Sequence, residues 1–418
     1  MMSVPLHDAY ITRNTTMNRT NRDAMASICF IVEWDDGGIH FADCYHAEKV
    51  NFWRDLFPVG LYDALMDKSE GDWVELHYES GEFAPPFDPF KAFTINRSQF
   101  GHYLASYSVI EPGFGRFYPK GTLNDVDGVF RQNMMPFRCV GIYGHEVRVD
   151  FNHPLSQKPL ELRVFVDNVC AKDKERGGRC NDWSAVSLSG PGMQARYNQK
   201  PTDFFSDDAF VRADTRDDSL FYRKPRFIAH LDDRALREIT SLYEMLIPKY
   251  GHVLDLMSSW KSHIPEPLNL KSLVGLGLNR EELENNSQLT DFVIHDLNAN
   301  QTLPFSRDTF DAVICTVSVE YLTRPFEVFD DVARVLKPEG YFILTFSNRW
   351  FSPKVIKIWQ DIHEFERMGL VLEYFLKSEK FKALNTYSIQ GLPRPETDNY
   401  FPKLLQSDPV FAVWGQTI

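Results

Sequence analysis

Side chains able to hold a ligand recur at five places in the second half of the chain, each directly after a short apolar burst. Asp255 lies in Val253-Leu-Asp-Leu256, which is followed by Met257, Ser258 and Ser259. Gly277 and Asn279 follow the burst at 272–276, and Asp296 and Leu297 follow that at 292–294. Ser318, Glu320 and Tyr321 come after 312–317, and Asn348, Arg349 and Trp350 after 341–346. Carboxylates, hydroxyls and amides are the groups that grip a polar ligand by hydrogen bonds. The same residues have plainer uses: Asp255 and Asp296 as tethers of strand ends, Ser258 and Ser259 as turn formers, Tyr321 and Trp350 as packing aromatics, Arg349 as a solvated charge.

The elements that must position them are short apolar strands alternating with helices, the pattern of a parallel sheet covered on both faces. Such a sheet gathers ligands outside the carboxyl ends of its strands, where the strand order reverses. Asp232 and Asp233 cap a helix whose apolar positions Leu236, Ile239, Leu242, Tyr243 and Leu246 fall at helical spacing, and Pro248 stops it. A second helix opens at Asn279 and covers 281–289; a third spans 327–336, with Val328, Phe329, Val332, Val335 and Leu336 inward. His363 falls on the surface of a helix over 358–374. Two late strands, 384–389 and 410–414, are expected at an antiparallel edge.

At 418 residues the chain exceeds what one core usually serves, so two domains are expected. A hydrophobic content of 43% and a charged content of 25% are those of a globular protein. The net charge of −13 argues against a nucleic-acid partner. No apolar run is long enough to span a bilayer and no signal sequence is apparent, so no membrane partner is expected. Six scattered cysteines without a CxxC pair suit reduced thiols and a cytoplasmic location. Four segments follow: a polar arm (1–26), a mainly antiparallel β domain (27–169), a linker or lid (170–220) and the α/β domain (221–418). Strands in the second are expected at 27–32, 73–78, 105–110, 138–142, 145–151 and 160–166, with one helix over 61–68. His145 and His153 read as surface or turn residues, and no metal site is expected.

In that β domain, Phe57-Pro-Val-Gly60 followed by a short helix and Gly71-Asp72 resembles the pocket-floor segment of FKBP-type peptidyl-prolyl isomerases. Asn152-His-Pro-Leu-Ser-Gln-Lys158 is similar to a segment of their SlyD-like branch, which carries a flap inserted in the fold. The resemblance covers roughly 27–168. It implies an apolar cleft for a prolyl peptide, with Phe30, Asp43, Phe57, Val59 and Leu61 at the matching positions. A dry pocket can lower a rotational barrier of ~18–20 kcal/mol without an acid or base. The alternative is that Phe30, Phe57 and Val59 are simply core.

Residues 221–418 resemble class I S-adenosylmethionine-dependent methyltransferases through Val253-Leu-Asp-Leu256, His295-Asp-Leu297 with Leu303-Pro-Phe305, Phe310-Asp-Ala-Val-Ile314, Ser318-Val-Glu-Tyr-Leu322 and 332–342. The implied fold is an α/β doubly wound, Rossmann-like sheet of seven strands. The implied cofactor is S-adenosyl-L-methionine, bound by Asp255, Met257, Ser258, Ser259, Gly277, Asn279, Asp296, Leu297 and Ser318. Tyr222, Arg226 and His230 would close over its methionine end. On the acceptor side stand Glu320, Tyr321, Arg349 and Trp350, with Asn348 and His263 nearby. The family's glycine-rich loop is here Met257-Ser-Ser-Trp-Lys261, without a glycine. The acidic residue expected after the second strand is replaced by Gly277, leaving Asn279 to hydrogen-bond the ribose.

The reading is therefore a methyltransferase acting on a small-molecule thiol, amine or carboxylate, with an FKBP-like domain as lid, scaffold or prolyl isomerase and a peptide as a further partner there. A protein methyltransferase, or a peptide-binding chaperone with a degenerate methyltransferase fold, is the competing reading.

Overall fold

Two long antiparallel strands, β1 (Ala24–Asp36) and β2 (Ile39–Asn51), begin the fold in a computed structural model that describes residues 18–101, 111–171 and 178–418. Their two-residue turn places Gly37 and Gly38 at φ of 60° and 78°, a region glycine enters without a Cβ penalty. Next come α1 (Leu61–Ala64), shorter than the helix expected, and β3 (Trp73–Tyr78). An inserted sheet follows, made of β4 (Ala92–Asn96), β5 (Phe117–Pro119), β6 (Pro136–Tyr143) and β7 (Glu146–Asp150) in the order β4-β7-β6-β5. The chain then returns through β8 (Leu160–Ala171), which pairs with β1 and β3. The strand expected at 105–110 lies outside the described residues, as do most of the arm and most of the charged linker.

Among its described residues the connecting stretch holds two short α-helices, α2 (Trp183–Ser187) and α3 (Asp218–Phe221), with two tight turns at Pro191–Gln194 and Tyr197–Gln199 between them. It is tied to both sides. The Trp183 indole N–H donates to Asp55 at 3.0 Å, and Arg196 makes a two-pronged pair with Glu373 at 2.7 Å for each bond.

The α/β part runs α4 (Asp233–Leu246), β9 (His252–Leu256), β10 (Ser272–Gly277), α5 (Arg280–Glu284), β11 (Asp291–Ile294), β12 (Phe310–Thr316), α6 (Pro325–Val335), β13 (Leu336–Phe346), α7 (Lys357–Asp361), α8 (Arg367–Ser378), β14 (Phe381–Gln390) and β15 (Val410–Thr417). Asp232 caps α4 as expected, accepting the Arg234 and Ala235 amides at 2.9 and 3.2 Å. Its apolar stripe is buried, at roughly 1.5–3 kcal/mol for each large side chain. α5 is capped by Asn279 but ends at Glu284, well short of 289. His363 lies between α7 and α8 as the cap of a single tight turn, not on a helix surface.

The strand order is β11-β10-β9-β12-β13-β15-β14-β2-β1-β8-β3. The first seven strands form the expected Rossmann-like half, whose order reverses between β9 and β12. The expectation of a separate antiparallel domain is corrected. β14 pairs in parallel with β2, residues 385–390 against 40–45, so both parts share one eleven-stranded mixed sheet. For the same reason the late strands are not an edge: β15 lies between β13 and β14, and β14 is covered by β2. The core follows the joint. Cys29, Ile31 and Cys44 from β1 and β2 pack in one cluster with Leu236, Ile239 and Tyr243 of α4.

Candidate functional site

All five strand exits in the first half of the sheet open into one cavity of about 670 Å³ at the reversal point. That volume lies within the roughly 300–1,000 Å³ of small-molecule and cofactor sites. Its wall includes every position expected to bind cofactor: Tyr222, Arg226, His230, Asp255, Met257, Ser258, Ser259, Gly277, Asn279, Asp296, Leu297 and Ser318. Tyr321, Asn348, Arg349, Trp350 and His263 also line it.

The glycine-free loop after β9 passes for two local reasons. Met257 takes the left-handed conformation itself, at φ 57°, and Val317 at the neighbouring β12 exit does the same at φ 48°. Positive φ is uncommon for non-glycine residues and an outlier for a β-branched one, and such strain collects at ligand sites. The close approach that glycine would normally give this loop is provided from across the gap. A Cβ added to Gly277 would stand 2.3 Å from the Ser258 carbonyl oxygen.

The hydroxyls around this loop are engaged. Ser258 donates to Asp255 at 2.6 Å, Ser259 donates to Glu282 at 2.7 Å and Ser318 donates to the Thr316 carbonyl at 3.0 Å. Burial pushes the Asp255 carboxyl up to about 6, against the opposing pull of its serine hydrogen bonds. Asn279 does not have the freedom expected of it. Its Oδ1 caps α5 at the Glu282 amide, and its Nδ2 donates to the Tyr222 and Arg223 carbonyls at 2.8 and 3.2 Å. With donors and acceptor committed, it is poorly placed to serve a ribose. Glu282 is a carboxylate the sequence reading did not single out: it lines the cavity and also accepts the Arg226 amide at 2.7 Å. The signal was present, because Asn279 and Glu282 have the spacing of a helix cap, and the cap explanation concealed the site one.

Glu320 is corrected as an acceptor-side group. It is buried beside the tight turn at Val319–Tyr321 and absent from the cavity wall, while its neighbour Tyr321 lines it. Both its carboxyl oxygens lack a hydrogen-bond partner, and burial drives it up to about 8. Tyr321 accepts the Phe351 amide at 2.8 Å. Arg349 is held by Asp408 at 2.8 Å and lies 4.4 Å from the Tyr400 ring, while Trp350 is stacked by Arg367 at 4.3 Å. Arg226 sits over three rings, Phe221, Phe351 and Tyr222, at 4.7, 5.0 and 5.7 Å. Burial lowers His230, and lowers His263 to about 4 with help from Lys261 and His230, so both imidazoles are neutral at pH 7.

The methyltransferase domain family model matches residues 264–344, the span from the loop after β9 into β13. The C-terminal half carries a class I methyltransferase domain. Its cofactor is S-adenosyl-L-methionine. A ubiquinone/menaquinone biosynthesis C-methyltransferase from a Ruegeria species is 29% identical over 124 residues, which are 29% of this chain and 47% of that protein. A malonyl-[acyl-carrier protein] O-methyltransferase from a Marinomonas species is 25% identical over 128 residues, 28% of this chain and 46% of the other. The chain thus spans less than half the length of these curated relatives. Among solved structures, a Haloferax volcanii putative methyltransferase in complex with the Trm112 activator is 19% identical, with a TM-score of 0.35 over 44% of this chain and 90% of that one. The matched span supplies the exits of β10, β11 and β12 to the cavity and stops inside β13, so the exits of β9 and β13 lie outside it.

The five positions matched to an isomerase pocket do not line one described cavity. Phe30 and Leu61 are core residues, and Phe30 stacks on Trp183 at 5.5 Å. Asp43 is sealed in the sheet, accepting the Ser388 hydroxyl at 2.5 Å and the Gly192 amide at 2.8 Å. Phe57 stacks on Phe52, while Val59 is 77% exposed and borders a surface groove with Leu76, His77, Tyr78 and Glu82.

Proposed function

We propose that this protein transfers a methyl group from S-adenosylmethionine to a small-molecule acceptor in the cavity at the carboxyl ends of β9–β13. The observation that carries the reading is the convergence of five strand exits on one cofactor-sized space. The cavity also fits the cofactor chemically, because it offers carboxylates for hydroxyl groups and a cation for a carboxylate. When bound, the cofactor supplies a methyl carbon on a positively charged sulfur.

The chain's own residues then act by orientation and exclusion of water. Asp296 spends Oδ1 on the Asn298 and Ala299 amides, and Glu282 is fixed by Ser259 and Arg226; both retain lone pairs for hydroxyl groups. Arg226 has no carboxylate partner among the described residues, and its ring cage holds it ready for an anionic end. His230, neutral at pH 7, can accept a proton from an acceptor that must lose one, whereas burial leaves His263 too weak a base for that task. The relatives are named for C-methylation in ubiquinone/menaquinone biosynthesis and for O-methylation of malonyl-[acyl-carrier protein], which supports an acceptor that is not a protein side chain.

The β1–β3 and β8 part, with its helix and inserted sheet, is proposed to serve as a scaffold, supported by the parallel pairing of β2 with β14. Phe30 and Leu61 are spent on packing and Asp43 on a structural tie, which disfavours prolyl isomerisation.

Calorimetric titration with S-adenosylhomocysteine tests the binding step, and a labelled-methyl assay on cell extract tests the reaction. Saturable binding with label in the small-molecule fraction is expected. Absence of binding rejects the proposal, and label confined to protein transfers it to protein methylation.

A further inference from the structure

Asn348 and Trp350, two wall residues after β13, are held by one short stretch that does not itself line the cavity. It consists of the tight turn Glu364–Glu366 and the first residue of α8, Arg367. Glu364 accepts the Asn348 side-chain amide at 2.7 Å, and Arg367 donates to Asn348 Oδ1 at 3.2 Å, so the amide is fixed at both ends. The Arg367 guanidinium also lies over the rings of Trp350 and Trp359, at 4.3 and 5.6 Å, and donates to the Trp359 carbonyl at 3.2 Å.

The inserted sheet grips the same stretch from the other side. Glu366, 1% exposed, accepts Nε and Nη2 of Arg116 at 2.8 and 3.2 Å and the Phe117 amide of β5 at 3.1 Å. The Phe117 ring meets Phe365 edge-on at 5.5 Å. Glu366 and Arg367 are adjacent in sequence, so the inserted sheet stands two side chains away from the cavity wall.

Arg367 is 5% exposed, and among the described residues no carboxylate lies within ion-pairing distance of it; Glu364 and Glu320 act on it only at longer range. Burying a cation costs free energy unless it is paired and hydrogen-bonded. Here two indole faces and two hydrogen bonds offset that cost. A cation placed for stability alone would end on an acid, as Arg116 does on Glu366. Arg367 ends on the wall instead.

The order of the strands indicates which ligand these wall residues meet. Glu282 and Asp296, the carboxylates suited to hydroxyl groups, follow β10 and β11. β13 lies on the opposite side of β9, two strands away, which is about 10 Å at ~4.8 Å per strand. A cofactor laid over β9–β11 leaves the β13 exit to the acceptor.

We propose that Arg367 is a positioning residue for the methyl acceptor, setting Trp350 and Asn348 at the β13 end of the cavity, and that the inserted sheet fixes it there through Glu366. The identity of the ligand rests on the methyltransferase reading; the arrangement of the side chains does not.

The test uses the full chain, with the small-molecule fraction of a cell extract as acceptor in the labelled-methyl assay. For Arg367→Met, the amount of that fraction giving half-maximal rate should rise at least about fivefold, the worth of a desolvated cation–π contact. The calorimetric affinity for S-adenosylhomocysteine should stay within about twofold of the parent. Arg367→Lys should fall between parent and Arg367→Met, and it carries the same comparison if the methionine variant does not fold. Arg116→Met combined with Glu366→Gln, which leaves no lone buried charge, should raise the half-maximal amount about threefold. Joint loss of cofactor and acceptor binding, or an unchanged half-maximal amount in the Arg367 variants, overturns the positioning role. No change in the paired variant alone overturns the part given to the inserted sheet. A parent that labels no small molecule removes the methyltransferase reading instead. The positioning is then read from Trp350 emission, isolated as the difference between each chain and its Trp350→Phe counterpart. Arg367→Met should alter that difference spectrum, and an unaltered one overturns the proposal.

Discussion

Asp255 and Asp43 occupy opposite halves of the same sheet and share most of their chemistry. Each is fully buried and accepts a serine hydroxyl, from Ser258 at 2.6 Å and Ser388 at 2.5 Å. Burial lifts each, to about 6 and about 7. The difference lies beside them. Asp255 borders the cavity, whereas Asp43 is covered by Gly190 and Gly192, where an added Cβ would come within 2.3 and 2.8 Å of its Oδ2. A buried carboxyl with a raised pKa therefore does not mark a site by itself; open space against it does.

Two glycine substitutions should break that contrast most sharply. Gly277→Ala forces a Cβ against the Ser258 carbonyl, which is backbone and yields poorly. It should cost ~1–3 kcal/mol of stability and reduce affinity for S-adenosylhomocysteine at least about tenfold by calorimetry. Gly190→Ala should cost a similar ~1–3 kcal/mol in thermal melts, with cofactor affinity of the folded fraction unchanged. Equal loss of affinity in both would show that the two aspartates are not separated as described.

A second prediction concerns pH. Asp43, Glu238, Asp255 and Glu320 have folded pKa values of about 7, 7, 6 and 8, all above their unfolded values. Their protonated forms favour folding, so this stability is complete below the unfolded pKa and is lost as pH rises through the folded values. Carboxylates with lowered pKa are already ionised at pH 6 and add no slope above it. His153, His230 and His263, lowered by burial, oppose this fall until the unfolded histidines are neutral, so the melting temperature should fall mainly between about pH 7 and 8 and level off above the highest folded value. Glu320→Gln should flatten the upper part of that fall and, above about pH 8, be more stable than the parent by on the order of 2 kcal/mol. A parent profile that is flat or rises over that interval would refute the burial of these acids.

The smallest effect is expected at Met257→Gly. Relief of the left-handed strain is worth ~1–2 kcal/mol, offset by lost packing of a half-buried side chain, so the net change should stay within about 1 kcal/mol. Cofactor affinity should be kept or tightened. Weakened binding would mean that the methionine side chain, and not the backbone turn, is what the ligand meets.

The parallel half of the sheet was legible because its strands are buried on both faces and therefore nearly unbroken apolar runs; 146–151 and 161–166 were legible through alternation of polar and apolar residues. β2 was not, since His40, Asp43, His46, Glu48 and Lys49 interrupt it, although Asp43 and His46 are buried. Its partner β14 was found, but its place in the sheet was not, because pairing across more than three hundred residues leaves no local pattern. At the site, positions after strands were predictable from topology, whereas directions were not. Glu320 and Tyr321 are adjacent in sequence, yet a single tight turn sends one inward and the other to the cavity. Glu282 was obscured because one side chain can be both cap neighbour and site residue.

The parallel seam between β2 and β14 has a practical corollary. Expressing residues 221–418 alone would leave the backbone of β14 without its neighbour, and expressing the preceding residues alone would do the same to β2. Each fragment would present a raw strand edge prone to self-association. The catalytic half therefore cannot be treated as a detachable cassette, and chimaeras that exchange it should carry the first two strands along.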